Sequence, residues 1–101
     1  MFLGFPLKMW YNGHKKGGEA VAWYVYMLRC GDGTLYTGIT DDVERRLAAH
    51  RSGTGAKYTR GRGPLELVYT EEQPDKSAAL RREVQIKKLR RDQKEALIGK
   101  P

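Results

Sequence analysis

Cysteine and histidine are scarce: the chain has one cysteine, Cys30, and two histidines. An internal disulfide framework is therefore excluded, and so is a closed structural zinc site. This cysteine usage suits a reducing compartment, and a cytoplasmic protein is expected. Long apolar runs are missing as well. None approaches the ~18–20 residues of a membrane span, so no membrane-spanning helix and no membrane partner is expected. Acidic side chains are in deficit, 12 Asp and Glu against 19 Lys and Arg, for a formal charge of +7. With 101 residues there is room for one domain and one core. Yet 40% of the residues are hydrophobic and ten are aromatic, which is too apolar for a disordered chain.

The positive charge is clustered. Residues 41–63 hold six Lys or Arg against three acids, and residues 76–101 hold nine against three. Between them, residues 64–75 carry Glu66, Glu71, Glu72 and Asp75 with no base. Clustered bases and a pI near 9.7 are the footprint of a polyanion binder, with nucleic acid the leading partner.

Residues 1–22 read as a loosely ordered leader, because Gly, Pro and Asn interrupt every apolar pair and no period survives. Pro6 and Lys8 cut short any signal-peptide core, and Met9 is a possible internal start. His14, among Gly, Asn and Lys, reads as a solvated loop residue. The domain is expected over 23–98, with a tail at 99–101. WYVYMLRC (23–30), GDG (31–33) and TLYTGI (34–39) read as strand, tight turn and returning strand. Thr40 or Asp41 is expected to cap a helix running to Arg51, with Asp41 and Glu44 at capping-box spacing. GTGAKYTRGRGP (53–64) is a Gly-rich basic loop. LELVYTEE (65–72) alternates as a third strand, and Pro74 and Asp75 end it. A long helix follows from Lys76 to Arg91, continuing or kinking through 92–98. The order is β-β-α-β-α, an α/β domain on a small antiparallel sheet.

Several polar residues fall where helices should be apolar. A helix advances ~100° per residue. Arg46 and His50 then lie beside the inward Val43 and Leu47, while Arg45 points away. The plain reading is that Arg46 runs along the core edge and His50 bonds to backbone. In the later helix, Ala79, Leu80, Val84 and Ile86 are expected to form an apolar arc with Glu83 inside it. A carboxylate there needs a partner, either a Lys or Arg of the same helix or a divalent cation. Tyr24, Tyr26 and Tyr36 crowd the hairpin. Each could simply pack, but a phenol also orients water or relays protons. Tyrosine, Arg, His and one metal-holding Glu together suit phosphodiester hydrolysis.

These residues resemble the GIY-YIG nuclease superfamily, and the likeness covers about residues 23–98. Tyr24-Val25-Tyr26 stands for G-I-Y, and Tyr36-Thr37-Gly38 for Y-I-G. Arg46, His50 and Glu83 match the family's helix arginine, its next catalytic position and its metal-binding glutamate. The likeness is closest to small stand-alone bacterial members, which AKYTRGRGPLELVY also resembles. It implies a three-stranded antiparallel sheet flanked by helices. It also implies hydrolysis of a nucleic-acid phosphodiester assisted by one Mg²⁺ or Mn²⁺; a metal-dependent endonuclease is expected, with DNA favoured over RNA and structured repair or recombination substrates as its candidates. Tyr26 or Tyr36 would handle the attacking water, Arg46 the scissile phosphate, His50 a proton or the phosphate, and Glu83 the metal. Gly38 would let phosphate approach the backbone. Lys57, Tyr58, Arg60 and Arg62 are the further nucleic-acid candidates. The signature departs at Tyr24, in place of the first glycine, and at Ile39, where some relatives carry lysine. No auxiliary DNA-binding module accompanies the domain, so a protein partner supplying specificity is expected. The rival reading is an accessory module that binds with the same basic surface and does not cut.

Overall fold

A computed structural model describes residues 22–99. The expectations for a leader, an internal start at Met9 and a solvated His14 fall outside the described residues. The elements are β1 (Trp23–Arg29), β2 (Leu35–Thr40), α1 (Val43–Ser52), a short 3₁₀ turn (Lys57–Thr59), β3 (Glu66–Gln73), α2 (Lys76–Lys87) and α3 (Arg91–Gly99). The sheet is antiparallel, in the order β2-β1-β3. The expected architecture is present, with one helix more: the C-terminal helix is broken into α2 and α3, and Gly99 belongs to α3.

The hairpin forms because β1 and β2 are rich in branched and aromatic residues and the turn supplies the needed backbone. Gly33 has φ +88°, and the Asp32 carboxylate accepts from the Thr34 N–H and hydroxyl. The β1–β3 register shifts between Met27 and Leu28. Because strand side chains alternate, β1 feeds two different layers. Val25 and Met27 are fully buried against Ala79 and Ile86 of α2, with Leu97 and Ile98 of α3 packed alongside. Tyr26, Leu28 and Cys30 face the opposite way, with Leu65, Tyr36 and Leu47 of α1. Cys30 is buried, as a packed residue should be.

Asp42 caps α1, one or two residues later than expected, because its carboxylate accepts from the Arg45 N–H at 3.1 Å. The Thr40 hydroxyl instead accepts from the Asp42 N–H. Gly53, left-handed at φ 87°, closes the helix. In α2 the expected arc is corrected. Leu80 and Val84 are 43% and 50% exposed, and the inward stripe is Ala79, Arg82, Glu83 and Ile86. Two charged residues can sit on that stripe because Arg82 reaches β3, where Glu71 accepts from its Nε at 2.8 Å. Arg29 grips Glu95 with two bonds of 2.9 Å, and Arg91 joins the same carboxylate, fastening α3 to the hairpin.

Candidate active site

Three elements converge on the α1 side of the sheet. β1 brings Tyr26, β2 brings Tyr36 and Gly38, and α1 brings Arg46 and His50. Tyr26 and Gly38 are direct cross-strand partners. A Cβ at position 38 would stand 2.7 Å from the Tyr26 hydroxyl oxygen, so only glycine admits the phenol there. The Tyr26 ring thus makes one close approach at Gly38.

Tyr26 and His50 are each 2% exposed, and the Tyr26 hydroxyl meets His50 Nε2 at 2.7 Å. On the far side of the imidazole, Nδ1 meets the Thr59 hydroxyl at 2.9 Å. The loop backbone lies on the ring, since a Cβ at Gly55 would fall 2.5 Å from Nδ1. Tyr36 completes the cluster, edge-on to His50 at 5.3 Å between centroids and 6.2 Å from Tyr26. Tyr58 stacks on Tyr36 at 5.8 Å.

Burial sets the protonation states. It pushes the Tyr26 phenol up to about 12, against the opposing pull of the Arg46 guanidinium. Burial, aided by the Arg46 charge, pulls His50 below its usual value. Contact with Tyr26 in turn makes Arg46 hold its proton still more firmly. At neutral pH the site is a neutral phenol hydrogen-bonded to a neutral imidazole, beside one permanent cation. That set can attract a phosphate and accept a proton, two requirements of phosphodiester chemistry.

The remaining sequence candidates divide. Lys57 and Arg60 are exposed and, among the described residues, form no side-chain ion pair. Arg62, expected to contact nucleic acid, has another use. It bridges to Asp32 at 2.6 Å, donates to the Tyr58 carbonyl at 2.7 Å, and lies 4.4 Å over the Tyr58 ring. Tyr58 is thus in contact with both Tyr36 and Arg62, yet remains 42% exposed. Glu83 lies apart, on the helix covering the other face of the sheet. Its described partner is Lys87, at 3.3 Å. The same helix packs across all three strands, including β2. That strand carries Tyr36.

A model of the GIY-YIG catalytic domain matches residues 22–96. The chain belongs to the GIY-YIG family. A UPF0213 protein of Natronomonas pharaonis is 61% identical over 75% of this chain and 89% of its own length. A UPF0213 protein of Halalkalibacterium halodurans is 56% identical over 75% of this chain and 81% of its own. Among solved structures, the solution structure of a UPF0213 protein from Bacillus halodurans matches with a TM-score of 0.50. It is 55% identical, covering 76% of this chain and 82% of that one. A protein from E. faecalis matches at a TM-score of 0.53 and 42% identity, covering 75% and 82%.

Within this GIY-YIG domain, then, the two signature tyrosines, Arg46 and His50 gather into one cluster, while no described hydrogen bond or ion pair joins Glu83 to it. Sequence reasoning missed Thr59 and Gly55. Both lie in the Gly-rich loop, where their roles depend on how that loop folds back over His50. The only signal available was a threonine next to Tyr58 in an otherwise basic, glycine-rich segment.

Proposed function

We propose that this GIY-YIG domain is an endonuclease that hydrolyses nucleic-acid phosphodiester bonds, DNA in preference to RNA. The observation that carries the reading is the buried hydrogen bond between Tyr26 and His50, set beside Arg46. A core builder has little reason to bury a phenol and an imidazole together against a half-buried guanidinium, since each must be satisfied by the others. A hydrolase has reason to do so.

Arg46 would hold the scissile phosphate and counter the charge that grows on it. Tyr26, with a pKa near 12, is no base alone at neutral pH. It would take a proton from water only while passing its own to the neutral His50. Tyr36, packed against both rings, would keep them aligned and shield them from bulk water.

Among the described residues no three His, Cys, Asp or Glu side chains gather as a metal cage. One carboxylate nevertheless fits a hydrated Mg²⁺ or Mn²⁺, a hard ion that completes its shell with water and substrate phosphate oxygens. Glu83 would hold it, and Lys87, 54% exposed, is free to swing away. The ion would supply neutralisation of phosphate charge. Lys57 and Arg60 would contact the backbone of the substrate. We assign structured repair or recombination intermediates as the substrates, with a partner protein adding specificity, because residues 22–99 are occupied by this one domain.

The test is a labelled panel of single-stranded, duplex, flapped and branched DNA, plus RNA. It would be incubated with Mg²⁺, Mn²⁺ or EDTA, with Glu83→Gln as control. Cutting that requires both metal and Glu83 is expected. Tight, salt-sensitive binding with no cutting under any metal would replace the endonuclease by the accessory module.

A further inference from the structure

Thr59 is 2% exposed and sits at the end of the 3₁₀ turn that folds back over His50. Its hydroxyl oxygen has two neighbours at the same distance: the Ala56 carbonyl oxygen and His50 Nδ1, both at 2.9 Å. The carbonyl has no hydrogen to give, so that bond runs from Thr59 to Ala56. A hydroxyl carries a single hydrogen. With it committed to Ala56, the Thr59 oxygen can only accept from His50, and Nδ1 must carry the imidazole hydrogen. A neutral imidazole has only one, so Nε2 presents a lone pair to the Tyr26 hydroxyl at 2.7 Å. The opposing contact is the Ala56 N–H, 3.4 Å from Nδ1. That is 0.5 Å longer than the contact between Nδ1 and the Thr59 oxygen, so the shorter bond sets the form.

We propose that Thr59 is a positioning residue for this site, fixing His50 as its Nδ1–H form so that Nε2 is free to receive the Tyr26 proton. The consequence for cleavage rests on the endonuclease reading; the assignment of the imidazole form does not. As the water oxygen bonds to phosphorus, its proton goes to the Tyr26 oxygen and the Tyr26 proton goes to Nε2. The bond from phosphorus to the leaving nucleotide breaks, its electron pair stays on the leaving oxygen, and solvent protonates that oxygen. The imidazolium that results keeps both hydrogens bonded, one to Thr59 and one to Tyr26. The opposite form of His50 would point a hydrogen at Tyr26, and its Nε2 could take no proton from the phenol.

The groups facing His50 are Tyr26 from β1, Tyr36 from β2, Arg46 from its own helix, and the uncharged Thr59 and Gly55 of the loop. Without the Thr59 hydroxyl, the only remaining hydrogen-bonding neighbour of Nδ1 is the Ala56 N–H, which favours hydrogen on Nε2. Thr59→Val keeps the shape of the side chain and should therefore reverse the form of His50. Thr59→Ser keeps the hydroxyl and should not.

Two-bond ¹H–¹⁵N spectra of the intact, histidine-labelled protein read this directly, at a pH above the His50 titration. The expected result is Nδ1–H in wild type and Thr59→Ser, and Nε2–H in Thr59→Val, with amide spectra otherwise superimposable. Cleavage by Thr59→Val should fall about tenfold or more in kcat with KM little changed, and Thr59→Ser should restore it together with the wild-type pH profile. Nε2–H in wild type, or an unchanged form in Thr59→Val, would overturn the proposal. A wild type that cuts nothing would remove the endonuclease reading alone, because the spectra still decide what Thr59 does.

Discussion

The two faces of the sheet are built on opposite principles. On one, Val25 and Met27 meet Ala79 and Ile86, all fully buried, and the charged residues beside them, Arg82, Glu71 and Arg29, are held in ion pairs. On the other, Tyr26 and His50 are just as deeply buried, yet they are polar and satisfied mainly by one another, Thr59 and Arg46. The same strand, β1, serves both by alternation. The apolar face holds the domain together through packing; burial on the polar face sets the protonation states of a phenol and an imidazole. In so small a domain, the first face makes the second affordable.

The sharpest way to break this contrast is to substitute each face and read both stability and cleavage. Arg46→Ala should lower the cleavage rate by ~10²–10³-fold, as loss of one charge-stabilising donor does. Its effect on urea unfolding should be small, because the guanidinium is at the edge of the cluster. Met27→Ala is the converse. It should lower the unfolding free energy by ~2–5 kcal/mol, as buried large-to-small changes do. Cleavage measured below the lowered melting temperature should persist. If Met27→Ala abolished cleavage in a folded protein, the two faces would not be separable.

Acid separates them next. The folded pKa of His50 lies below its unfolded value of about 6.5, so the unfolded chain binds more protons as pH falls. The His50 contribution is complete above the unfolded value and is lost as pH falls through the folded one. Cleavage should fail over that same window, since a protonated His50 cannot accept from Tyr26. The Arg29–Glu95–Arg91 clasp should resist longer. Its two guanidiniums hold the Glu95 carboxyl down to about 2, so its contribution is lost only as pH falls from about 4.5 toward 2. A pH series of cleavage beside thermal melts would resolve the two steps. The smallest effect belongs to Asp32→Ala. It frees Arg62 from a half-exposed ion pair of the kind that contributes little, and thereby releases Tyr58. Stability should fall slightly, since the Thr34 bonds of the hairpin turn go too, while binding of a nucleic-acid probe should shift through the loop.

Much of the hairpin, α1 and β3 was legible because alternation and turn chemistry are local signals. Tyr26, Tyr36, Arg46 and His50 were legible because strand and helix periods bring them to one side. What escaped depended on partners distant in sequence. Leu80 and Val84 were assigned to the core because hydrophobicity outranks charge within a single helix. The pairing of Arg82 with Glu71 is what lets that helix turn a charged stripe inward. Arg62 reads as a phosphate contact from sequence, and only the fold shows its ion pair with Asp32, thirty residues away. The break between α2 and α3 left its residues able to continue a helix, so no local stop marked it. Thr59 carried no periodic signal, since a loop residue gains its role only when the loop closes on His50.

One measurement bears most directly on the central claim, that the buried polar face is a hydrolytic site: single-turnover cleavage by Tyr26→Phe, paired with its urea unfolding. Removing one hydroxyl should slow cleavage by ~10²-fold or more, the worth of a positioned proton-transfer group. Unfolding should change by only ~1–3 kcal/mol, the cost of leaving His50 Nε2 unpaired. Cleavage at the wild-type rate, with the loss confined to stability, would make the Tyr26–His50 pair a structural bond and contradict the account.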